Sequence, residues 1–250
     1  YAQSMPSFSA NNKMGSSGRS SYDGVQLTIT NTATYNTTFD GGHSLTAMVG
    51  QEGVNYDYEN FLVMTRGQNN DFLTNVSNGS SASRWSDGTT SYGFLSFFGR
   101  AEYNFRSKYY AEASLRSDAS SRFGKNGRWA TFWALGGMWD IKQETFMKPT
   151  SKWLTRAQLA VSSGTSGNSS IPNYDHLALV AGGAMYNEET GIYPMQAGNE
   201  DLGWERLWTT NIALHLGFWN RLNVDAEFYN KVTTNMLMEV PQSYAVNGAG

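Results

Sequence analysis

The side chains that most often carry chemistry are sparse in this chain. Its three histidines, His43, His176 and His215, lie far apart and match neither an H-x-x-x-H spacing nor a carboxylate-supported metal site. His43 falls at a turn and His215 on a polar strand face, so the histidines read as ordinary hydrogen-bonded side chains. Asp57, Glu59 and, farther on, Glu188 and Glu189 could hold calcium or work as an acid/base pair. Their spacing is unspecific, and solvated loop charge is the simpler reading. The strings G-S-S-G-R-S-S and S-S-G-T-S-G-N lack the lysine and the strand-to-helix setting of a phosphate loop, and no G-x-S-x-G nucleophile elbow occurs. With no cysteine there is neither a disulfide framework nor a thiolate metal site. These absences predict a chain that is not an enzyme and binds no cofactor or metal.

The elements that would position any site are strands. From Gly93 to Phe105, Leu95, Phe97, Ala101, Tyr103 and Phe105 share one parity and Ser96, Arg100, Glu102 and Asn104 the other. After a tight R-S-K turn, Tyr109, Ala111, Ala113 and Leu115 oppose Glu112, Ser114, Arg116 and Asp118. Successive strand side chains point to opposite faces, so one face is greasy and the other charged. Such a sheet is either solvated on its charged side or lines a polar lumen. Further strands are expected at 25–39, 44–58, 128–141, 154–163, 204–218 and 222–229, with a D-G-G hairpin signal at Asp40 to Gly42. Connections are short at 40–42, 106–108 and 219–221, intermediate at 117–127 and 142–153, and long at 59–92 and 164–203. Short and long turns thus fall broadly on opposite ends of the sheet, the asymmetry of an outer-membrane barrel. Trp204 and Trp208 at one end of an apolar face, with Trp219 beyond the other, fit two aromatic girdles, although core packing between soluble sheets would give the same pattern.

Composition agrees. Charged residues are 16% against aromatics at 14%, fewer charges than the roughly 25% of a typical soluble domain. That balance fits a surface meeting lipid, and equally a carbohydrate-binding surface. A net charge of −3 gives no basic excess for nucleic acid. No apolar run reaches the 18 or so residues of a spanning helix, but a barrel strand needs only about 10 alternating residues and leaves little trace in mean hydropathy. The chain opens on Y-A-Q-S-M-P, with no basic or apolar leader, and stops in a Gly/Ala/Asn segment. It reads as an internal segment of a longer protein.

Three ordered stretches carry a resemblance. They are G-R-A-E-Y-N-F through D-A-S-S-R-F-G-K-N-G-R-W to T-F-M-K (99–148), W-L-T-R-A-Q-L-A-V-S-S-G-T-S-G-N with I-P-N-Y (153–174), and G-N-E-D-L-G-W-E-R-L-W-T-T-N-I-A-L-H-L-G-F from Gly198, continuing through L-N-V-D-A-E-F-Y-N-K. Together they resemble the barrel of SusC/RagA-type TonB-linked outer-membrane proteins of Bacteroidetes, well over 93–240 and more loosely over 22–65. Two positions depart from the family pattern. Ala119 stands where glycine is usual, and Trp133 follows Phe132 where proline is common.

The resemblance implies an all-β fold. Residues 1–250 would be a sector of about eight antiparallel transmembrane strands from a barrel of about 22, with long extracellular loops. The signal peptide, TonB-contacting segment and plug are expected outside it. It further implies residence in the Gram-negative outer membrane, in contact with lipid. The implied function is TonB-dependent import of an oligosaccharide or peptide with a SusD-like surface lipoprotein. Trp85, Tyr92, Tyr174, Tyr186 and Tyr193 in the long connections are the candidate ligand contacts, because flat rings stack on apolar sugar faces while nearby Asn, Asp and Glu bond hydroxyls. The alternative is a soluble or secreted all-β carbohydrate-binding or adhesin module, which would turn its apolar parity only toward its own core.

Overall fold

A computed structural model describes residues 2–5, 15–68, 70–186 and 189–238. The described strands are β1 (Ala2–Met5), β2 (Gly15–Phe39), β3 (His43–Gln68), β4 (Ser81–Phe105), β5 (Tyr109–Ser120), β6 (Trp129–Asp140), β7 (Leu154–Asn168), β8 (Leu179–Tyr186), β9 (Glu189–Gln196), β10 (Glu205–Phe218) and β11 (Leu222–Thr234). Two compact units contain them, and β2, β3 and β4 contribute to both.

The larger unit comprises residues 29–53 and 93–250. In its sheet β2, β3, β4, β5, β6, β7, β10 and β11 lie side by side in that order, antiparallel from β4 through β11. The sequence neighbours β8 and β9 form a separate hairpin between β7 and β10. Register is continuous. Leu115 faces Trp133, Leu135 faces Ser163, Val161 faces Ile212 and Ile212 faces Phe228, whereas Glu112 faces Gly136, Ser162 faces Asn211 and Ala213 faces Glu227. Most of the large side chains of the apolar parity are exposed or half-exposed. Ile29, Phe97, Leu115, Leu135, Val161, Ile212 and Phe228 all stand on the surface, Leu115 at 58%. In a sandwich these residues would form the core. Here the greasy face has no second sheet against it among the described residues.

Two hairpin turns place non-glycine residues in the left-handed region. Arg106 and Ser107 have φ of 54° and 57°, and Trp219 and Asn220 have 51° and 53°. A two-residue turn with both φ positive matches the right-handed strand twist. The strain is offset where Lys108 N–H donates to the Phe105 carbonyl and Arg221 N–H to that of Phe218, each at 3.0 Å. At the first hairpin Gly41 and Gly42 supply positive φ without a Cβ penalty.

The smaller unit comprises residues 1–28 and 54–92. It holds β1, paired antiparallel with the start of β2, and the remaining lengths of β2, β3 and β4. A short 3₁₀ turn, Val76–Asn78, caps the connection, where Thr65 Oγ1 donates to the Val76 carbonyl at 2.7 Å.

Several strand limits differ from the sequence reading. β2 starts ten residues earlier than expected, at Gly15, and β3 runs on to Gln68 while β4 begins at Ser81. The expected long connection at 59–92 is therefore mostly strand. At 25 or 26 residues these strands far exceed the roughly 9–11 that cross a bilayer. Gly, Ser and other polar residues fill 15–24 and 81–92 and a continuous F-L-V-M run stands within 59–68, so apolar alternation is lost and these lengths read as loop. Likewise β7 continues to Asn168, and the expected irregular stretch after it contains β8 and β9.

Lipid exposure of one parity predicts a face-specific outcome. Leu115→Arg places a charge on the apolar face at an expected cost of about 2–4 kcal/mol near the bilayer midplane. It should abolish the folded, heat-modifiable band of the parent protein on electrophoresis of outer membranes, whereas Ser114→Arg on the opposite face should leave it.

Candidate functional site

The polar face of the larger unit is organised by two arginines. Glu102 and Glu112 are direct cross-strand partners on β4 and β5, a like-charge pairing that destabilises a sheet. Arg100 resolves it, reaching Glu102 at 2.8 Å and Glu112 at 3.0 Å. These groups are half-exposed, so the pairing neutralises the repulsion more than it adds stability. Arg116 sits in a more enclosed network. Its guanidinium contacts Asp118 at 2.7 Å, Glu52 at 3.3 Å and the Ser96 hydroxyl at 2.9 Å, and lies 5.2 Å from the centre of the Phe98 ring. A depression of about 450 Å³ crosses this face, lined by Glu102, Asn104, Tyr110, Glu112, Ser162 and Asn211 among others. A Cβ at Gly136 would come within 2.9 Å of the Glu112 side chain.

At the long-loop end, the residues of the D-A-S-S-R-F-G-K-N-G-R-W string build a core. Phe123 is fully buried and packs with Ala130, Phe132 and Trp204, against which Phe94, Ile171, Leu202 and Leu237 lean. Trp204 meets Phe123 at 4.8 Å between ring centres and Phe132 edge-on at 5.6 Å. Its indole N–H donates to the Arg128 carbonyl at 3.0 Å. The 121–128 loop is laced to residues 199–204. Gly124 N–H donates to the Leu202 carbonyl and Asn126 N–H to that of Glu200. A Cβ at Gly124 would fall 2.2 Å from the Glu200 oxygen, so only glycine permits this approach. The second resembling stretch joins through Arg122, whose Nε donates to Asn173 Oδ1 at 2.8 Å and whose Nη1 donates to the Ser169 carbonyl at 3.1 Å. His176 Nδ1 in turn donates to the Arg122 carbonyl at 3.2 Å.

At the short-turn end Glu144, between two 3₁₀ stretches after β6, binds back to the R-S-K hairpin. Its carboxylate accepts from Tyr109 at 2.5 Å, Lys108 at 3.2 Å and Trp139 at 3.3 Å. The Tyr109 hydroxyl first and then Lys108 hold the Glu144 carboxyl below the usual carboxylate range, against the opposing effect of burial.

The five candidate aromatics stand on different elements, Trp85 and Tyr92 in the smaller unit and Tyr174, Tyr186 and Tyr193 in the larger. Trp85 and Tyr92 lie within β4 rather than in a loop, an odd number of residues apart and so of opposite parity. Trp85 is 70% exposed, while Tyr92 stacks on Tyr56 at 5.0 Å. Tyr174 is half-buried in the loop after β7 at φ 75°. Tyr193 stands exposed on β9, and Tyr186 ends β8. Gln196 links the hairpin to the loop, donating to the carbonyls of Tyr174 and Leu177 at 3.1 and 2.9 Å.

Each histidine has a partner. His43 Nδ1 lies 2.6 Å from the Tyr103 hydroxyl and its ring stacks on Phe105, and His215 lies 2.5 Å from Asp225. Glu188 lies outside the described residues. Among those described, no three His, Asp or Glu side chains are grouped as a metal would need. Trp204 is a correction, since it belongs to the buried loop core and not to a girdle, while Trp208 and Trp219 are exposed at opposite ends of the β10 face. The two departures are accommodated. Ala119 sits in extended β5 opposite Trp129 and needs no glycine, and the Trp133 N–H, which a proline would lack, donates to Thr165 Oγ1 at 3.1 Å.

An antiparallel sheet with one exposed apolar parity, an opposite face of paired charges and its core confined to one set of loops is a sector of an outer-membrane β-barrel wall. The family described as TonB dependent receptor-like, beta-barrel, matches residues 1–250. The chain belongs to that family, and within it to the SusC/RagA type of the Gram-negative outer membrane. It is 35% identical over 210 residues to a TonB-dependent receptor of Formosa agariphila, covering 83% of this chain and 20% of that one. Against the TonB-dependent receptor SusC of Bacteroides thetaiotaomicron it is 33% identical over 158 residues, 58% of this chain and 15% of SusC. The solved RagAB peptide transporter superposes with a TM-score of 0.90 at 36% identity, covering 98% of this chain and 28% of that chain. The chain thus spans about a fifth of the length of the Formosa receptor. These relatives are receptors and importers, not enzymes, and the soluble-module alternative is set aside with them.

Two outcomes follow from this geometry. Phe123→Ala should cost about 3–5 kcal/mol of local packing and raise proteolytic cleavage within 169–204 while the barrel stays heat-modifiable. Because the folded Glu144 carboxyl titrates below its unfolded value, its contribution is complete above the ordinary carboxylate range and lost as pH falls through the lowered value. Glu144→Gln should therefore lower the thermal midpoint in detergent at neutral pH, and the gap to the parent should close in acid.

Proposed function

We propose that this chain forms part of the wall and outer loops of a TonB-dependent importer of large nutrients, a peptide or an oligosaccharide. A SusD-like lipoprotein captures the cargo at the cell surface, and energy arrives through TonB by way of segments outside residues 1–250. The observation that carries the reading is the match of the whole chain to the RagAB peptide transporter, at 36% identity over 98% of its length. The polar face supports it, since paired charges and a depression lined by hydroxyl, amide and carboxylate groups suit a hydrated, hydrogen-bonding cargo. Tyr174 and Tyr193, on the loop and hairpin joined by Gln196, are the first candidates for cargo contact. Trp85, Tyr92 and Tyr186 are the second group.

Mild detergent extraction of the parent protein from its native outer membrane, followed by mass spectrometry, tests the assignment. A co-purifying lipoprotein of the SusD kind is expected, and a retained peptide or glycan identifies the cargo class. Recovery without any lipoprotein overturns the partnership. Alanine substitution at each of the five aromatics, assayed with that cargo, should weaken binding several-fold at Tyr174 or Tyr193. Five unchanged affinities would sink the aromatic contacts.

A further inference from the structure

Arg122 does more than pack a loop. It lies one residue before the fully buried Phe123, so its backbone is fixed by the aromatic core. From that anchor its planar guanidinium makes two bonds to the 169–204 connection, Nε to the Asn173 side chain and Nη1 to the Ser169 carbonyl. Its carbonyl receives a third bond, from His176. The guanidinium carbon lies over the Phe94 ring on β4, 5.9 Å from its centre. Three of these four links reach residues within seven positions of Tyr174. The far end of the same connection is held separately, by Gly124 and Asn126 on Leu202 and Glu200 and by Trp204 on Arg128. Between the two fastenings stands the β8–β9 hairpin with exposed Ile192 and Tyr193, joined to the Tyr174 carbonyl by Gln196.

We infer that Arg122 is a positioning residue for cargo capture. It sets the placement of the 169–178 segment, and through Gln196 the hairpin, so that Tyr174 and Tyr193 are presented together without Arg122 itself meeting cargo. This rests on the importer reading for its consequence, but the fastening is measurable without it. The chemistry asks for arginine in particular. Two N–H groups in a fixed fork serve a side-chain oxygen and a carbonyl at once, which the single ammonium of lysine cannot reproduce.

The test uses the full-length receptor in its outer membrane, with Arg122→Ala, Arg122→Lys and Asn173→Ala, and only variants that keep the heat-modifiable folded band are compared. Hydrogen exchange of 169–178 should accelerate about tenfold or more in Arg122→Ala, the size expected on losing a charge-assisted hydrogen bond, while β5, β6 and β10 are unchanged. Lysine should rescue little. The Arg122→Ala/Asn173→Ala double variant should show less than the sum of the two single effects. Uptake of a tryptic digest of casein, used as the probe, should show the half-saturating concentration rising several-fold, a larger change than in the maximal rate per folded receptor. Unchanged exchange in 169–178, full rescue by lysine, or faster exchange with an unaltered half-saturating concentration overturns the positioning role. If the unmodified receptor imports no digest peptide, the peptide form of the importer reading fails, and the exchange results still decide whether Arg122 fastens the segment.

Discussion

A backbone amide in hydrocarbon has no water to bond, and the whole wall follows from that constraint. Each strand must be paired along its full membrane length, so register from β4 through β11 runs almost without interruption. In the β7–β10 pairing the irregularity falls at Gly217/Phe218, next to the turn, where a slip disturbs little else. A one-residue slip in mid-strand would exchange the two faces, sending Leu135 or Ile212 inward and Glu112 or Asn211 into lipid. Register and the apolar parity therefore enforce each other.

A single sheet cannot bury a core between layers, which moves the ordinary core to an unusual place. Its best-buried aromatic side chain, Phe123, sits under loops, and its partners are Phe132 near the start of β6, Trp204 just before β10 and Phe94 in the middle of β4. The opposite end is held by polar contacts, with Glu144 accepting from three side chains around a two-residue hairpin. On the inward-polar face, charge replaces packing. Arg100 reconciles two carboxylates that the register forces together, and Arg116 ties three strands through Glu52, Ser96 and Asp118.

The alternation at Leu95 to Leu115, the R-S-K and W-N-R turns and the parity of β10 and β11 were legible in the sequence because lipid on one side and water on the other impose a strict period of two. The same logic hides the ends of β2, β3 and β4. Beyond the membrane length that alternation is no longer imposed, and Glu59 to Gln68 or Ser81 to Tyr92 carry no period that marks them as strand. Trp204 was misread for a different reason. A tryptophan at a strand end serves a girdle or a loop core equally well by type, and only its partners Phe123 and Phe132 decide. The hairpin β8–β9 was missed because its glycines and the Pro194 at its edge resemble loop punctuation.

The stretches that carry the family resemblance converge in space. Residues 121–128, 169–176 and 199–204 come from three separated motifs, yet they share one core and one hydrogen-bond lattice. Gly124 and Gly127 are required by backbone approach, Phe123 by packing, and Arg122 by a fork that fits two oxygens. None of these demands depends on what the receptor carries. The recognisable part of the sequence is thus the frame that fixes loops, and in the proposed importer cargo contact falls to what the frame holds up, Tyr174 and the hairpin with exposed Ile192 and Tyr193. The constraint that shapes the wall acts on the parity and register of the main sheet, and the β8–β9 hairpin, a separate two-stranded sheet with a register of its own, stands outside it.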